Sequence, residues 1–154
     1  MLFRSSGKSY GVKKLREMAE KKLRDEKLRK EAAGEQQEAT TLPWTEINLT
    51  QLNSTRELAE LLREVAGSRP RGSVPFVLFD EFDAALDGAE MGWLSWFLAP
   101  MQDGAFRAGG ALTALRRAVY VFAGGTAETL AEFGKAAPAT FRAAKGPDFV
   151  SRLR

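Results

Sequence analysis

The stretch Phe76-Val77-Leu78-Phe79-Asp80-Glu81 decides the fold. Four consecutive apolar residues leave no side for water, so the run reads as a strand buried on both faces, as in a parallel sheet covered by helices. Asp80 and Glu81 end it. Upstream, Pro43 precedes Trp44-Thr45-Glu46-Ile47-Asn48-Leu49, a short alternating run of strand type. Between the two, Ser54 and Glu57 have capping-box spacing. Leu58, Leu61, Leu62 and Val65 recur at i, i+3, i+4 and i+7, which predicts a helix ending near Gly67. Pro70, Gly72 and Pro75 punctuate a loop. Downstream, residues 90–98 predict a helix with Leu94, Phe97 and Leu98 inward, stopped by Pro100. Gln102 to Gly110 reads as a loop. Val119-Tyr120-Val121-Phe122-Ala123 is a second buried-type strand, cut by Gly124-Gly125. A short helix over 127–133, a loop and a terminal segment Asp148 to Arg154 complete this side.

At the other end, residues 10–33 form one amphipathic helix, with Val12, Leu15, Ala19 and Leu23 three or four apart and Gly34 as the stop. Helices and strands therefore alternate along the chain. That order predicts an α/β domain, a parallel sheet flanked by helices.

Composition narrows the chemistry. With 44% hydrophobic and 28% charged residues among 154, the chain belongs to the soluble globular class, and one domain is expected. There is no cysteine and no histidine. A disulfide framework, a thiolate or imidazole metal site, a Cys nucleophile and a Ser-His-Asp hydrolase are excluded. The apolar runs are too short to span a bilayer and none follows Met1 as a signal would, so a cytoplasmic location and no membrane partner are expected. The net charge of +3 hides a split: residues 1–34 carry 11 Lys+Arg against 5 Asp+Glu, the remaining 120 carry 12 against 15. A block of net +6 suits nucleic acid or an acidic surface. Glu17, Glu20, Asp25, Glu26 and Glu31 lace it at helical spacings, which favours a long solvated helix.

Four groups carry candidate chemistry. Gly7-Lys8-Ser9 stands just before the first helix, where main-chain amides cradle phosphate, a lysine contacts phosphate oxygens and a hydroxyl ligates magnesium. Asp80 and Glu81 lie beyond the carboxyl end of a strand, where open α/β sheets bind ligands. There one carboxylate can hold Mg²⁺ and the next can orient an attacking water. Thr126, past the Gly pair, is placed either to sense a phosphate or to cap the helix predicted at 127–133. Arg152, in the segment beginning Gly146-Pro147-Asp148, is either a transition-state cation offered to a neighbour or a basic residue near a helix end.

Gly7-Lys8-Ser9, the run Phe76 to Asp83, Val119 to Thr126, and Pro147-Asp148-Phe149-Val150-Ser151-Arg152 together resemble, in order, the Walker A, Walker B, sensor 1 and arginine-finger signatures of an AAA+ ATPase. The resemblance covers nearly the whole chain, and the Walker B run is its most specific part. It implies a P-loop NTPase-like core that binds ATP and Mg²⁺ and hydrolyses ATP, in a homo-oligomeric ring with each site shared between neighbours. By the match, Gly7 and Lys8 bind phosphate, Ser9 and Asp80 hold the magnesium, Glu81 activates water, Thr126 is the sensor, and Arg152 is the finger acting in trans.

The match departs from the family at identifiable places. A full phosphate loop has glycine five residues before Gly7, where this chain has Leu2, and no room is expected ahead of residue 7 for the strand that leads into the loop. The expectation is a partial core over 1–154, lacking the first strand and the C-terminal lid, with a loop remnant at 1–9, the basic helix at 10–33 and the rest of the α/β core at 44–154. Leu49-Thr50-Gln51-Leu52-Asn53 has no aromatic residue where unfoldases of the family present one to the pore. The alternative is a non-catalytic module on a degenerate ATPase fold, using the basic helix to meet a protein or nucleic acid.

Overall fold

A computed structural model describes residues 2–3, 8–33, 42–68, 70, 73–115 and 117–153, with side chains described from residue 10 onward. Its elements are β1 (Leu2–Phe3), α1 (Lys8–Ala32), β2 (Trp44–Asn48), a 3₁₀ turn (Leu49–Gln51), α2 (Thr55–Ser68), β3 (Phe76–Asp80), α3 (Leu94–Asp103), β4 (Ala105–Ala108), β5 (Ala111–Ala114), β6 (Val119–Ala123), α4 (Pro138–Ala143) and α5 (Gly146–Ser151). The α/β class is as the alternation predicts.

Among the described residues one parallel sheet runs in the order β1-β6-β3-β2. The strand read as buried on both faces is flanked on both edges: Phe76 to Asp80 pair with Trp44 to Asn48 on one side and Val119 to Ala123 on the other. Alternation then sorts the side chains. Phe76 and Leu78 of β3, with Val121 and Ala123 of β6, meet Val12 of α1 in one cluster. Val77, Phe79 and Phe122 point the opposite way, into a larger core with Leu58 and Leu62 of α2, Phe97 of α3 and Phe149 of α5. Aromatic rings fill that core: Phe97 and Phe149 meet Phe122 edge-on at 5.0 and 4.9 Å.

α1 touches the sheet through Val12, Leu15 and Ala19, all in its first half. Its remaining length is exposed and laced by same-helix ion pairs such as Lys27–Glu31 and Lys30–Glu26, the arrangement of a solvated helix. Such exposed pairs add only about 0.3–0.5 kcal/mol each.

Four expectations need correction. A strand does precede Gly7: Leu2 and Phe3 pair in parallel with Phe122 and Ala123 of β6, a two-residue element too short to be read as a strand from sequence. The helix after β3 begins at Leu94 and runs through Pro100 to Asp103: the proline forgoes one N–H bond and crowds the turn before it, yet the helix continues past it. The stop is Gly104, in the left-handed region at φ 61°, whose N–H returns to Pro100 O at 3.1 Å. The stretch 102–110 is not all loop. It contributes the last residues of α3 and all of β4, which pairs antiparallel with β5 across Gly109-Gly110. Both glycines have positive φ, 57° and 83°, as a two-residue hairpin turn of the right twist requires. No helix forms at 127–133. The segment makes isolated turn bonds from Glu132 and Phe133 to Thr129, and Gly134 at φ 82° ends it.

Candidate functional site

The sheet register places one row at its carboxyl edge: Asn48, Asp80, Ala123 and Phe3 on adjacent strands. Asp80 is thus on the central strand, at the edge where β1 leads toward α1. By alternation with Phe76 and Leu78 it faces α1. There it lines a cavity of about 180 Å³ with Lys13 and Arg16 of α1 and Glu46 of β2. Two cations and two carboxylates share this small space. Arg16 is held in place, its Nε donating to Glu20 Oε1 at 2.8 Å and its guanidinium 5.5 Å above the Trp44 ring.

Glu81 leaves the strand abruptly. Its φ is 54°, a left-handed conformation that a residue with a Cβ adopts at a cost of about 1–2 kcal/mol. Its N–H donates to Asp80 Oδ1 at 3.1 Å, and its carbonyl accepts from Ala84 N at 2.9 Å. Phe82 then donates its N–H back to Ala123 O at 3.2 Å and buries its ring. The twist at Glu81 lets Phe82 enter the core while the neighbouring carboxylates stay at the edge.

The turn beyond Glu81 supplies a residue that motif reading passes over. Asp83 is a buried carboxylate, and it clamps the end of β6. Its Oδ2 accepts from Gly125 N at 3.0 Å, Thr126 N at 2.9 Å and Thr126 Oγ1 at 2.6 Å. Gly124 must be glycine for this closure, since a Cβ there would stand 2.6 Å from Phe82 Cε1 and 2.7 Å from Asp83 Cγ. A Cβ on Gly125 would lie 3.8 Å from Glu81 Oε2, so the Glu81 carboxylate adjoins the Gly125-Thr126 turn.

The structure therefore brings Asp80, Glu81 and Thr126 to one edge. Gly7 lies outside the described residues, as do the side chains of Lys8 and Ser9, whose main chain opens α1. Arg152 is elsewhere. It lines a cleft of about 1100 Å³ with Gln102, Arg117, Val119 and Tyr120, at the opposite end of β6 from Ala123. Its guanidinium donates to Asp148 O and to Gln102 Oε1, both at 2.7 Å. Within one chain it does not join the carboxylates.

Lys13, Arg16 and Asp83 are the residues sequence reading missed. Asp83 stands three residues after Asp80 in an apolar setting, which is a signal, but its partners are 42 and 43 positions away. Among the described residues no group of three or more His, Cys, Asp or Glu converges as a metal site, and no helix is long and apolar enough to cross a membrane. No protein-family model and no curated protein matches this chain.

Proposed function

We propose that the chain is an ATP-binding module built on an AAA+ type, P-loop NTPase-like core, which hydrolyses ATP with Mg²⁺ as part of an oligomeric ring. The observation that carries this reading is the register at the carboxyl edge. Phe3, Ala123 and Asp80 lie side by side, so β1, the strand that precedes α1 in the chain, ends in the same row as Asp80. A helix start facing a carboxylate-bound cation is a phosphate site by its electrostatics alone.

The residues at this edge suit a hard cation with phosphate oxygens. By the resemblance, Asp80 and the Ser9 hydroxyl would hold Mg²⁺, and Gly7 and Lys8 would meet the phosphates. When bound, the metal would neutralise charge on the transferring phosphoryl group. The cavity at Asp80, about 180 Å³, is below the roughly 300–1,000 Å³ of whole-ligand pockets, so it takes an ion and phosphate and leaves sugar and base outside it. Glu81 would orient the attacking water, and its left-handed backbone holds its side chain toward the Gly125-Thr126 turn. Thr126 has its hydroxyl proton committed to Asp83. What it offers the site is a lone pair, suited to accept from that water. Arg152, in the cleft at the opposite end of β6 from Ala123, stands away from the carboxylates of its own chain, and its proposed role is at a neighbour's site.

The test is a pair of conservative substitutions read by ATP binding and by phosphate release. Glu81→Gln is expected to retain binding and lose turnover, and Asp80→Asn to lose the Mg²⁺-dependent part of binding. Unchanged turnover in the first, or unchanged Mg²⁺ dependence in the second, contradicts the assignment.

A further inference from the structure

A second surface, remote in sequence from Asp80, is built by residues 130–151. Its base is the ring of Phe141, seated against bare backbone. A Cβ on Gly134 would stand 2.3 Å from Phe141 Cγ, and one on Gly146 would stand 2.1 Å from Cδ2. Only glycine permits that approach, and Gly134 also holds φ at 82°. Phe133 meets Phe141 edge-on at 5.1 Å and is itself tilted against Phe82 at 5.2 Å, which ties this base to the main core.

The result is a fixed apolar floor in a groove of about 700 Å³, walled by Leu130, Pro138 and Val150. Leu130 is 41% exposed, an apolar side chain left in water beside an apolar floor. Each Å² of such surface that a partner covers is worth roughly 25 cal/mol. Eleven residues line the groove, against the roughly 20–30 a side of a stable domain interface, so the fitting occupant is a short segment rather than a domain face.

Charge selects among segments. The only charged residues lining the groove, among the described residues, are Lys135 and Arg142. Both are cationic and exposed, and among the described residues neither is in a salt bridge. Arg142 spends one N–H on Pro138 O at 3.3 Å and keeps its remaining donors. We propose that this groove docks a short acidic–apolar segment of a partner protein, with apolar side chains on the Phe133–Phe141 floor and carboxylates against Lys135 and Arg142.

The test is selection from a random-peptide display library on the full chain, counter-selected on the exposed double variant Lys135→Glu/Arg142→Glu. Peptides with apolar residues flanked by Asp or Glu are expected. A labelled enriched peptide should bind the double variant and Leu130→Asp at least tenfold more weakly than wild type, and bind less tightly as salt rises. Its counterpart with lysine in place of each acid should recover binding to the double variant, which separates a charge effect from a folding defect. Enrichment without acidic bias, affinity indifferent to the reversal, or no enrichment at all overturns the proposal.

Discussion

Asp83→Ala is the substitution that most sharply tests how the edge of the sheet is held. The carboxylate accepts three donors from one turn, Gly125 N, Thr126 N and Thr126 Oγ1, at 2.6–3.0 Å. Hydrogen bonds to a charged acceptor are worth about 1.5–3 kcal/mol each when made independently. Here the three share one oxygen, and Gly125 and Thr126 are exposed, so water re-satisfies part of what is lost. The expected net cost is about 2–3 kcal/mol. Thr126→Val removes only the hydroxyl bond and should cost about 1 kcal/mol, whereas Thr126→Ser should be close to neutral. Because both substitutions remove the same bond, the double variant should be less damaged than the sum, with a coupling of roughly 1 kcal/mol. Urea unfolding of the wild type, Asp83→Ala, Thr126→Val, Thr126→Ser and the Asp83→Ala/Thr126→Val double variant measures all of this. For a chain of this length the Asp83→Ala loss corresponds to a fall in Tm of about 4–12 °C. A loss below about 0.5 kcal/mol, or strict additivity with Thr126→Val, would refute the clamp.

Tyr120 titrates against the fold. Burial pushes its phenol from 10.0 up to about 12, and among the described residues the hydroxyl has no hydrogen-bond partner. The folded chain keeps its proton where the unfolded chain loses it. Stability is therefore fully present below pH 10 and falls as pH rises toward 12, by roughly 2–3 kcal/mol. Tyr120→Phe should remove that part of the alkaline loss and, by deleting an unsatisfied hydroxyl, stabilise the chain at pH 7 by about 1 kcal/mol, checked by unfolding at both pH values. At Gly124 the added methyl of Gly124→Ala would overlap Phe82 Cε1 at 2.6 Å, so a loss of about 1–3 kcal/mol is expected in the same assay.

What was legible from sequence follows how local the cause is. β3 could be read because four apolar side chains in a row have no other comfortable place, and its end at Asp80–Glu81 marks the site by the same logic. α2 was readable from its cap and its 3.6-residue spacing. The β4–β5 hairpin was not. Its strands are rich in alanine, a poor strand former, and only Gly109-Gly110 announced the turn. Pro100 carries the sequence signature of a stop, but the helix ends at Gly104, whose left-handed backbone caps it. At the site, Asp83 escaped notice because its worth comes from donors on another strand, and Lys13 and Arg16 because their approach to Asp80 depends on how α1 lies on the sheet.

On the proposed function, the edge carrying Asp80 and the start of α1 grips a nucleotide. A thermal melt of the full chain with and without ATP–Mg²⁺, beside Lys8→Ala, tests it most directly. At about 100 times its dissociation constant the ligand should add roughly 2.7 kcal/mol, a rise in Tm of about 5–10 °C that disappears in Lys8→Ala. A cooperative melt that ATP–Mg²⁺ leaves unmoved, or an equal rise in Lys8→Ala, would contradict it.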